Sequence, residues 1–428
     1  MQGVPRVLSK VPVRATGAID RMARGLASGP VGRALVRRQF RRLAGVSRPE
    51  RVLVIADVNI GDAMLIQPAV AALDGLLPDA TIDFAVNATV GPLVADDPRV
   101  GTTFAVLRGD ADAPAVTAQR LREALDHADY GLVVNACPFI GDRDAASFGG
   151  AVVSPLSLAV GILDAYAGGR PAAVPIQVSA LVHRALDAMP GVDVPEHPTT
   201  ESSRVYLRAQ VRRDAVALLR ELDIDPTRPT VFVNPDTSND STFLGEDVLV
   251  EVVARMTALP SAGGVLLGRG FTYRGVEDRI LEALDGEQRR AVRLVPEEFP
   301  LDAFCGVVDC CDVVISGDTG PMHLAVAEKV ARRDAHGFVN RTAVVNVFKA
   351  TDPRIYGYGP PPEFAAGGQR VAPVPIEARP DCKNLVCSVQ RLIASCPADR
   401  CQETLDAADI ARAATDALSS ADGRRDAS

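Results

Sequence analysis

The sequence predicts an α/β protein made of two doubly wound parallel-sheet domains facing each other across an inter-domain cleft. Three observations predict it. At 428 residues the chain is longer than one hydrophobic core usually accommodates. Continuous β-branched runs alternate with helical patterns, as parallel strands covered on both faces require. The alternation stops at a proline-punctuated stretch, Asp225-Pro226-Thr227-Arg228-Pro229, and then starts again.

The first strand is Arg51–Ala56, apolar along its whole length. Asp57-Val58-Asn59-Ile60-Gly61-Asp62 follows, then a helical pattern that Pro68 opens and Pro78 closes. Thr81–Val86 reads as a strand, Gln119–His127 as a helix and Leu132–Asn135 as a strand. Residues 136–200 are less regular, with helical stretches near 154–166 and 177–189. A decorated connection of this kind suits substrate contacts, and we expect it to select the acceptor. The amphipathic helix Gln210–Leu222 leads into the linker. Beyond it come strand Thr230–Val233, helix Glu246–Leu259, strand Gly264–Gly268, helix Leu301–Cys310, strand Asp312–Ile315, helix Pro321–Lys329 and strand Thr342–Phe348. The expected organisation is a basic arm over 1–48, a first domain over 49–225, a second over 226–415, and a disordered tail over 416–428.

Composition narrows the function. Aromatic residues are 4% of the chain and tryptophan is absent, so a nucleic-acid stacking platform is excluded. A net charge of −8 points the same way. No apolar stretch reaches the length of a membrane span. The charge is uneven: residues 1–50 hold eleven Arg and Lys against two acids, a balance of +9 that leaves −17 for the rest. Arg37-Arg38-Gln39-Phe40-Arg41-Arg42 forms either one face of a helix lying on anionic lipid or a frayed, solvated arm. No apolar segment of secretory type follows the first charges. The expected location is therefore cytoplasmic, with peripheral contact at the inner face of the membrane.

The most informative segment is Val313-Val314-Ile315-Ser316-Gly317-Asp318-Thr319-Gly320-Pro321-Met322-His323. It reads as a buried strand, a tight turn and a helix with Pro321 at its first position and Thr319 as its cap. Backbone N–H groups at such a turn suit a diphosphate, and open α/β sheets bind ligands at this edge. The plainer reading is a capped helix with a satisfied histidine.

Asp318 to Ala325 resembles the signature of glycosyltransferase family 9, the family of the ADP-heptose:lipopolysaccharide heptosyltransferases. Three further segments match it in order: Ile60–Ala69, Phe348-Lys349-Ala350-Thr351-Asp352-Pro353, and the cysteine-containing end from Cys396 to Cys401. The resemblance implies a GT-B fold of two facing Rossmann-like domains, with the acceptor on the first and the nucleotide-sugar donor on the second. It implies inverting, metal-independent transfer with no cofactor, an ADP-sugar donor, and a glycan, lipid-linked or small-molecule acceptor. Asp62 matches the proposed catalytic base; a helix-capping role is its alternative, and Asp57 is the second carboxylate. Asp318 would meet the donor sugar hydroxyls. Thr319, Gly320, Met322 and His323 would hold the diphosphate side, and Phe299 would flank the base or else be a core residue.

The chain also departs from the family. Where many members carry a Lys-Arg-Trp-like motif, it has Asn234–Phe243 with no cation, leaving Thr237 and Ser238 as phosphate donors. Lys349 stands where the family has glycine, one of only four lysines, and Arg269 lies at another strand end. Either one supplies the displaced positive charge, or both are ordinary surface cations. Asp110-x-Asp112 and Asp223-x-Asp225 read as solvated turns rather than a metal pair. Cys382, Cys387, Cys396 and Cys401 read as packed thiols or loose zinc ligands. Walker, His-Glu-x-x-His and G-x-G-x-x-G motifs are absent. The rivals to transfer are a nucleotide-sugar epimerase of the same fold and a non-catalytic nucleotide-sugar-binding protein.

Overall fold

The computed structural model describes residues 29–425, except 57–58, 108–113, 126–128, 139, 171, 196–202, 226–227, 239, 260–262, 332–341, 359–373 and 379–399. The chain divides into two compact units; the main division falls between Tyr206 and Leu207, and the segment that begins at Arg354 is counted with the first unit again. The main division is ahead of the linker read from the prolines, because helix Ala209–Glu221 packs on helix Leu301–Cys310 of the second unit.

In the first unit, five strands form one parallel sheet: β1 (Arg51–Ile55), β2 (Thr81–Asn87), β3 (Thr103–Leu107), β4 (Leu132–Asn135) and β5 (Ala151–Val153). Their order is β3-β2-β1-β4-β5, so the winding direction reverses between β1 and β4. The β1 run is apolar throughout because both faces are covered, and Val52 to Ile55 are fully buried. The helix expected to open at Pro68 starts earlier. Helix α1 (Ile60–Ile66) precedes it, and a break at Gln67 lets Pro68 begin α2 (Pro68–Leu76), where its missing N–H costs nothing. Strands β3 and β5 are additional to the sequence reading. Both are short edge strands of mixed burial, which carry little periodic signal.

Ahead of this sheet, helix Pro30–Leu43 occupies part of the basic arm. It is docked rather than frayed. Leu43 is fully buried, Gln39 Nε2 donates to the Val152 carbonyl at 2.7 Å, and Ser157 Oγ donates to Gln39 Oε1. Arg37, Arg38, Arg41 and Arg42 are exposed.

The second unit has a six-stranded parallel sheet of β6 (Thr230–Asn234), β7 (Gly264–Leu267), β8 (Val292–Leu294), β9 (Val313–Gly317), β10 (Ala343–Phe348) and β11 (Val374–Glu377). The order is β11-β10-β9-β6-β7-β8, with the reversal between β6 and β9. Every residue of β6, β9 and β10 is buried, which is why these strands read so clearly as apolar runs. The helix after β9 covers Gly320–Val326 and stops short of Lys329, which lies buried in the extended segment Glu328–Ala331. At the C-terminus, helix Ala407–Arg425 enters the segment expected to be a disordered tail, and its inner face, Ile410, Ala414 and Leu418, joins the core.

Candidate active site

The second unit gathers the signature residues at the carboxyl edge of its sheet, where the winding reverses. Asn234 ends β6 and pairs in register with Ser316 of β9. From Asn234, Nδ2 donates to Ser316 Oγ at 3.0 Å, to the Asp236 carbonyl at 3.0 Å, and more weakly to Thr319 Oγ1 at 3.4 Å. Thr319 occupies the cap position of helix Gly320–Val326, but its hydroxyl makes no capping bond. This corrects the capping role expected of it: the oxygen is turned towards Asn234 and Ser316. It accepts from Asn234, and since Ser316 Oγ donates to the Gly317 carbonyl, the Thr319 proton faces Ser316 Oγ across a long 3.5 Å contact that a closer ligand oxygen would replace.

One helical turn beyond Thr319, His323 Nε2 meets Asp318 Oδ1 at 3.2 Å, and both side chains are buried. A carboxylate only accepts, so this contact places a proton on Nε2. The second Asp318 oxygen, Oδ2, is buried with no hydrogen-bond partner among the described residues. It is a ready acceptor for a hydroxyl. Gly320 is the first helical residue and Pro321 the second; Met322 is fully buried beneath them.

The loop after β6 completes this edge. Thr237 and Thr242 share a hydrogen bond between buried hydroxyls, while Ser238 is exposed. Lys349, directly after β10, is 3% exposed and donates to the Asp240 carbonyl at 3.2 Å. A cation thus reaches the very loop that lacks one of its own. Arg269, after β7, donates through Nε to the Val295 carbonyl at 2.8 Å and faces Glu277 at 3.6 Å. Its charge is shared with a buried carboxylate. Phe299 is half-buried and lies edge-on to Phe304, with ring centroids 6.3 Å apart.

In the first unit, Asp62 lies in the first turn of α1, half-buried, and accepts from Asn59 Nδ2 at 2.7 Å. Asn59, not Asp62, occupies the cap position. Asp57 and the Asp110 and Asp112 pair lie outside the described residues, as do Cys382, Cys387 and Cys396. Cys401 is buried. Asp223 sits at a turn after helix Ala209–Glu221, 86% exposed at its side chain, as a solvated turn should be. Among the described residues, no group of three or more His, Cys, Asp or Glu side chains is placed to hold a metal ion.

Sequence reasoning missed Asn234 and Ser316 as parts of this edge. Their signal was present: a polar residue at the end of one buried apolar run and another inside a second run.

Residues 185–331 match the family model described as glycosyltransferase family 9 (heptosyltransferase). No curated protein sequence matches the chain. Among solved structures, the chain is similar to a glycosyl transferase family 9 protein from Veillonella parvula, with a TM-score of 0.59, 12% identity, and coverage of 86% of this chain and 97% of that one. It is similar to the ADP-heptose lps heptosyltransferase II of E. coli, with a TM-score of 0.52, 17% identity, and coverage of 85% and 99%. For the E. coli heptosyltransferase WaaC with ADP, the TM-score is 0.51, the identity 17%, and the coverage 86% and 99%. These likenesses establish the GT-B fold, and the family match, which begins in helix Val174–Asp187 of the first unit, includes the Asp318–His323 edge of the second. Over residues 185–331 the chain matches glycosyltransferase family 9, and its fold is similar to that of the E. coli heptosyltransferases.

Proposed function

We propose that the chain moves a sugar from a nucleoside-diphosphate donor, an ADP-sugar, to a hydroxyl of a glycan, lipid-linked or small-molecule acceptor, with inversion and without a metal ion. The observation that carries this reading is the buried Asp318–His323 pair beside the Asn234–Ser316–Thr319 hydroxyl network at the reversal point of the second sheet. Thr319, with Thr237 and Ser238, donates to the diphosphate, and His323 stands beside it with Gly320 and Met322 shaping the turn. Asp318 Oδ2 accepts from a sugar hydroxyl. Lys349, with Arg269 as the second cation, offsets the charge of the leaving group, and Phe299 flanks the base. Donors fixed before the reaction and aimed at a leaving diphosphate supply most of the rate in transfers of this type. That an E. coli structural relative was solved with ADP supports a nucleoside diphosphate here.

In the proposed reaction Asp62 takes the proton of the acceptor hydroxyl. The oxygen forms a bond to the anomeric carbon from the side opposite the diphosphate. The bond from that carbon to the diphosphate oxygen breaks, and its electron pair leaves with the nucleoside diphosphate. Asn59 holds the Asp62 carboxylate by its 2.7 Å hydrogen bond.

The same reading includes peripheral contact with anionic lipid through helix Pro30–Leu43, supported by its four exposed arginines. No helix among the described residues is long and apolar enough to cross a membrane.

The test is a thermal-shift titration with ADP, UDP, GDP and dTDP. A ligand at a hundred times its dissociation constant stabilises by about 2.7 kcal/mol, a shift of several degrees. A selective shift with ADP supports the ADP-sugar donor, and product formation only when an acceptor is added separates transfer from epimerisation. No shift with any diphosphate overturns the reading.

A further inference from the structure

We infer that Phe271 is the platform on which the donor nucleotide stacks its base, an inference that rests on the nucleoside-diphosphate reading above. Phe271 is 66% exposed, one of three large apolar side chains left in solvent among the described residues. It sits at the tip of the loop between β7 and helix Val276–Ala283, at the same carboxyl edge of the sheet as Asp318. β7 lies two strands from β9, so about 10 Å separates the Phe271 loop from the Asp318 turn along the edge. That is the reach of a nucleoside diphosphate whose phosphates lie at the turn.

An exposed aromatic on a mobile loop would mean little. This loop is fixed on both sides. Asp236 Oδ1 accepts from the backbone N–H groups of Thr272 at 3.1 Å and Tyr273 at 3.3 Å. Gly270 N–H donates to Glu277 Oε2 at 3.1 Å, and Arg269 ties the loop to Val295. The Tyr273 ring stacks on Phe243, centroids 4.1 Å apart and planes 9° from parallel, and its hydroxyl donates to Asp240. At Gly270 a Cβ would lie 2.2 Å from the Tyr273 carbonyl oxygen, so the turn closes only with glycine there. Of the loop's two aromatic rings, Tyr273 is packed into this scaffold and Phe271 is left outside it. Ordering the loop in advance lowers the entropy that a stacked ligand must overcome. Every base has a π-face, so the platform recognises a planar heterocycle, while the groups around it choose among bases.

The experiment uses calorimetry on the full chain with ADP and with inorganic diphosphate. Because Phe271 is exposed, Phe271→Ala should fold with an unchanged melting temperature. Its ADP dissociation constant should rise about tenfold, the loss of one base stack. Its inorganic diphosphate affinity should stay within twofold of the parent, and Phe271→Tyr should restore ADP binding where Phe271→Leu does not. The chain contains no tryptophan, so Phe271→Trp adds a single reporter whose fluorescence ADP should quench and inorganic diphosphate should leave unchanged. ADP binding equally tight in Phe271→Ala and the parent would overturn the inference while leaving the donor reading intact. If the parent binds none of the four nucleoside diphosphates, the donor reading falls, and the platform with it.

Discussion

His323 and Asp318, five residues apart across a strand–turn–helix junction, meet at 3.2 Å in a site where both are buried. The contact occupies one carboxylate oxygen and leaves the other buried and unpartnered among the described residues. One residue therefore orients the imidazole and offers an acceptor to a ligand. Replacing Asp318 by Asn keeps the shape but removes the charge and one acceptor. Turnover should fall about 100-fold, as when a preorganised polar group is lost from a transition-state site. ADP affinity should change less than twofold if, as proposed, the lost acceptor serves the sugar rather than the diphosphate. Equal losses in turnover and ADP binding would assign Asp318 to the phosphates instead.

Asp62 is tested by separating chemistry from binding. Asp62→Asn should lower kcat by about 10²–10⁴-fold, the usual contribution of a positioned base. Donor affinity measured by calorimetry should be unchanged. Asn59→Ala, which removes the 2.7 Å hydrogen bond to the carboxylate, should cost about tenfold in kcat through misorientation alone. If Asp62→Asn turns over normally, the base lies elsewhere.

The two cations make different predictions because their neighbours differ. Lys349 donates to a backbone carbonyl, whereas Arg269 faces the buried Glu277 carboxylate. Lys349→Met should weaken ADP binding about tenfold, the worth of one charge-assisted hydrogen bond. Arg269→Ala should instead destabilise the fold by about 1–3 kcal/mol, since buried Glu277 keeps the Gly270 N–H but loses its cationic partner. Calorimetry and urea unfolding on each variant distinguish these outcomes. A double variant with unchanged ADP affinity would show that neither cation replaces the one missing from residues 234–243.

Much of this architecture was legible in the sequence, and the gaps have physical causes. The central strands β1, β4, β6, β9 and β10 are buried on both faces, so their apolar runs stand out. The edge strands β3 and β8 are short and partly exposed, so burial did not write a pattern into them. The helix after β9 looked longer than it is because Ala327–Lys329 is helix-compatible locally; its end is a tertiary decision. The signature segment was readable because its residues are contiguous. Its support was not: Asn234 reaches Ser316 across 82 residues, and Asp236 holds Tyr273 across 37. The cap expected of Thr319 failed for the same reason, since a distant amide competes for its hydroxyl.

Buried tyrosines and thiols set the alkaline limit of stability. Burial pushes Tyr206 up to about 12 against the opposing charge of Arg99, Cys305 up to about 12 against that of Lys329, and, with Asp309 adding to it, Cys310 up to about 11. Tyr130 is raised further, by burial first and then by its hydrogen bond to Asp83. Each folded-state group keeps its proton where the unfolded chain has already released it. Their stabilisation is complete below the ordinary values of 9.0 for Cys and 10.0 for Tyr and is lost as pH rises towards 11 to 12. Urea midpoints should thus fall steadily above pH 9, and Tyr206→Phe should flatten that fall. A midpoint independent of pH between 8 and 11 would contradict the burial of these groups.

The basic helix Pro30–Leu43 turns charge into a surface. Gln39 fixes it to the first unit through Val152 and Ser157, so its exposed arginines are presented in a defined direction. Leu156, the residue before the Ser157 anchor, is 53% exposed and adds an apolar side chain to the surface of the same unit. Basic residues near an anionic bilayer contribute about 1 kcal/mol each, weakening with salt. Full-length protein should sediment with vesicles containing phosphatidylglycerol and stay in solution with pure phosphatidylcholine. Converting Arg37, Arg38, Arg41 and Arg42 to Glu should abolish sedimentation with unchanged melting temperature, since all four are exposed. Leu156→Asp should weaken it only partly, because the charge remains. Equal sedimentation of the parent with both lipids, or binding that survives the four substitutions, would reduce the helix to a solvated cover on the first unit.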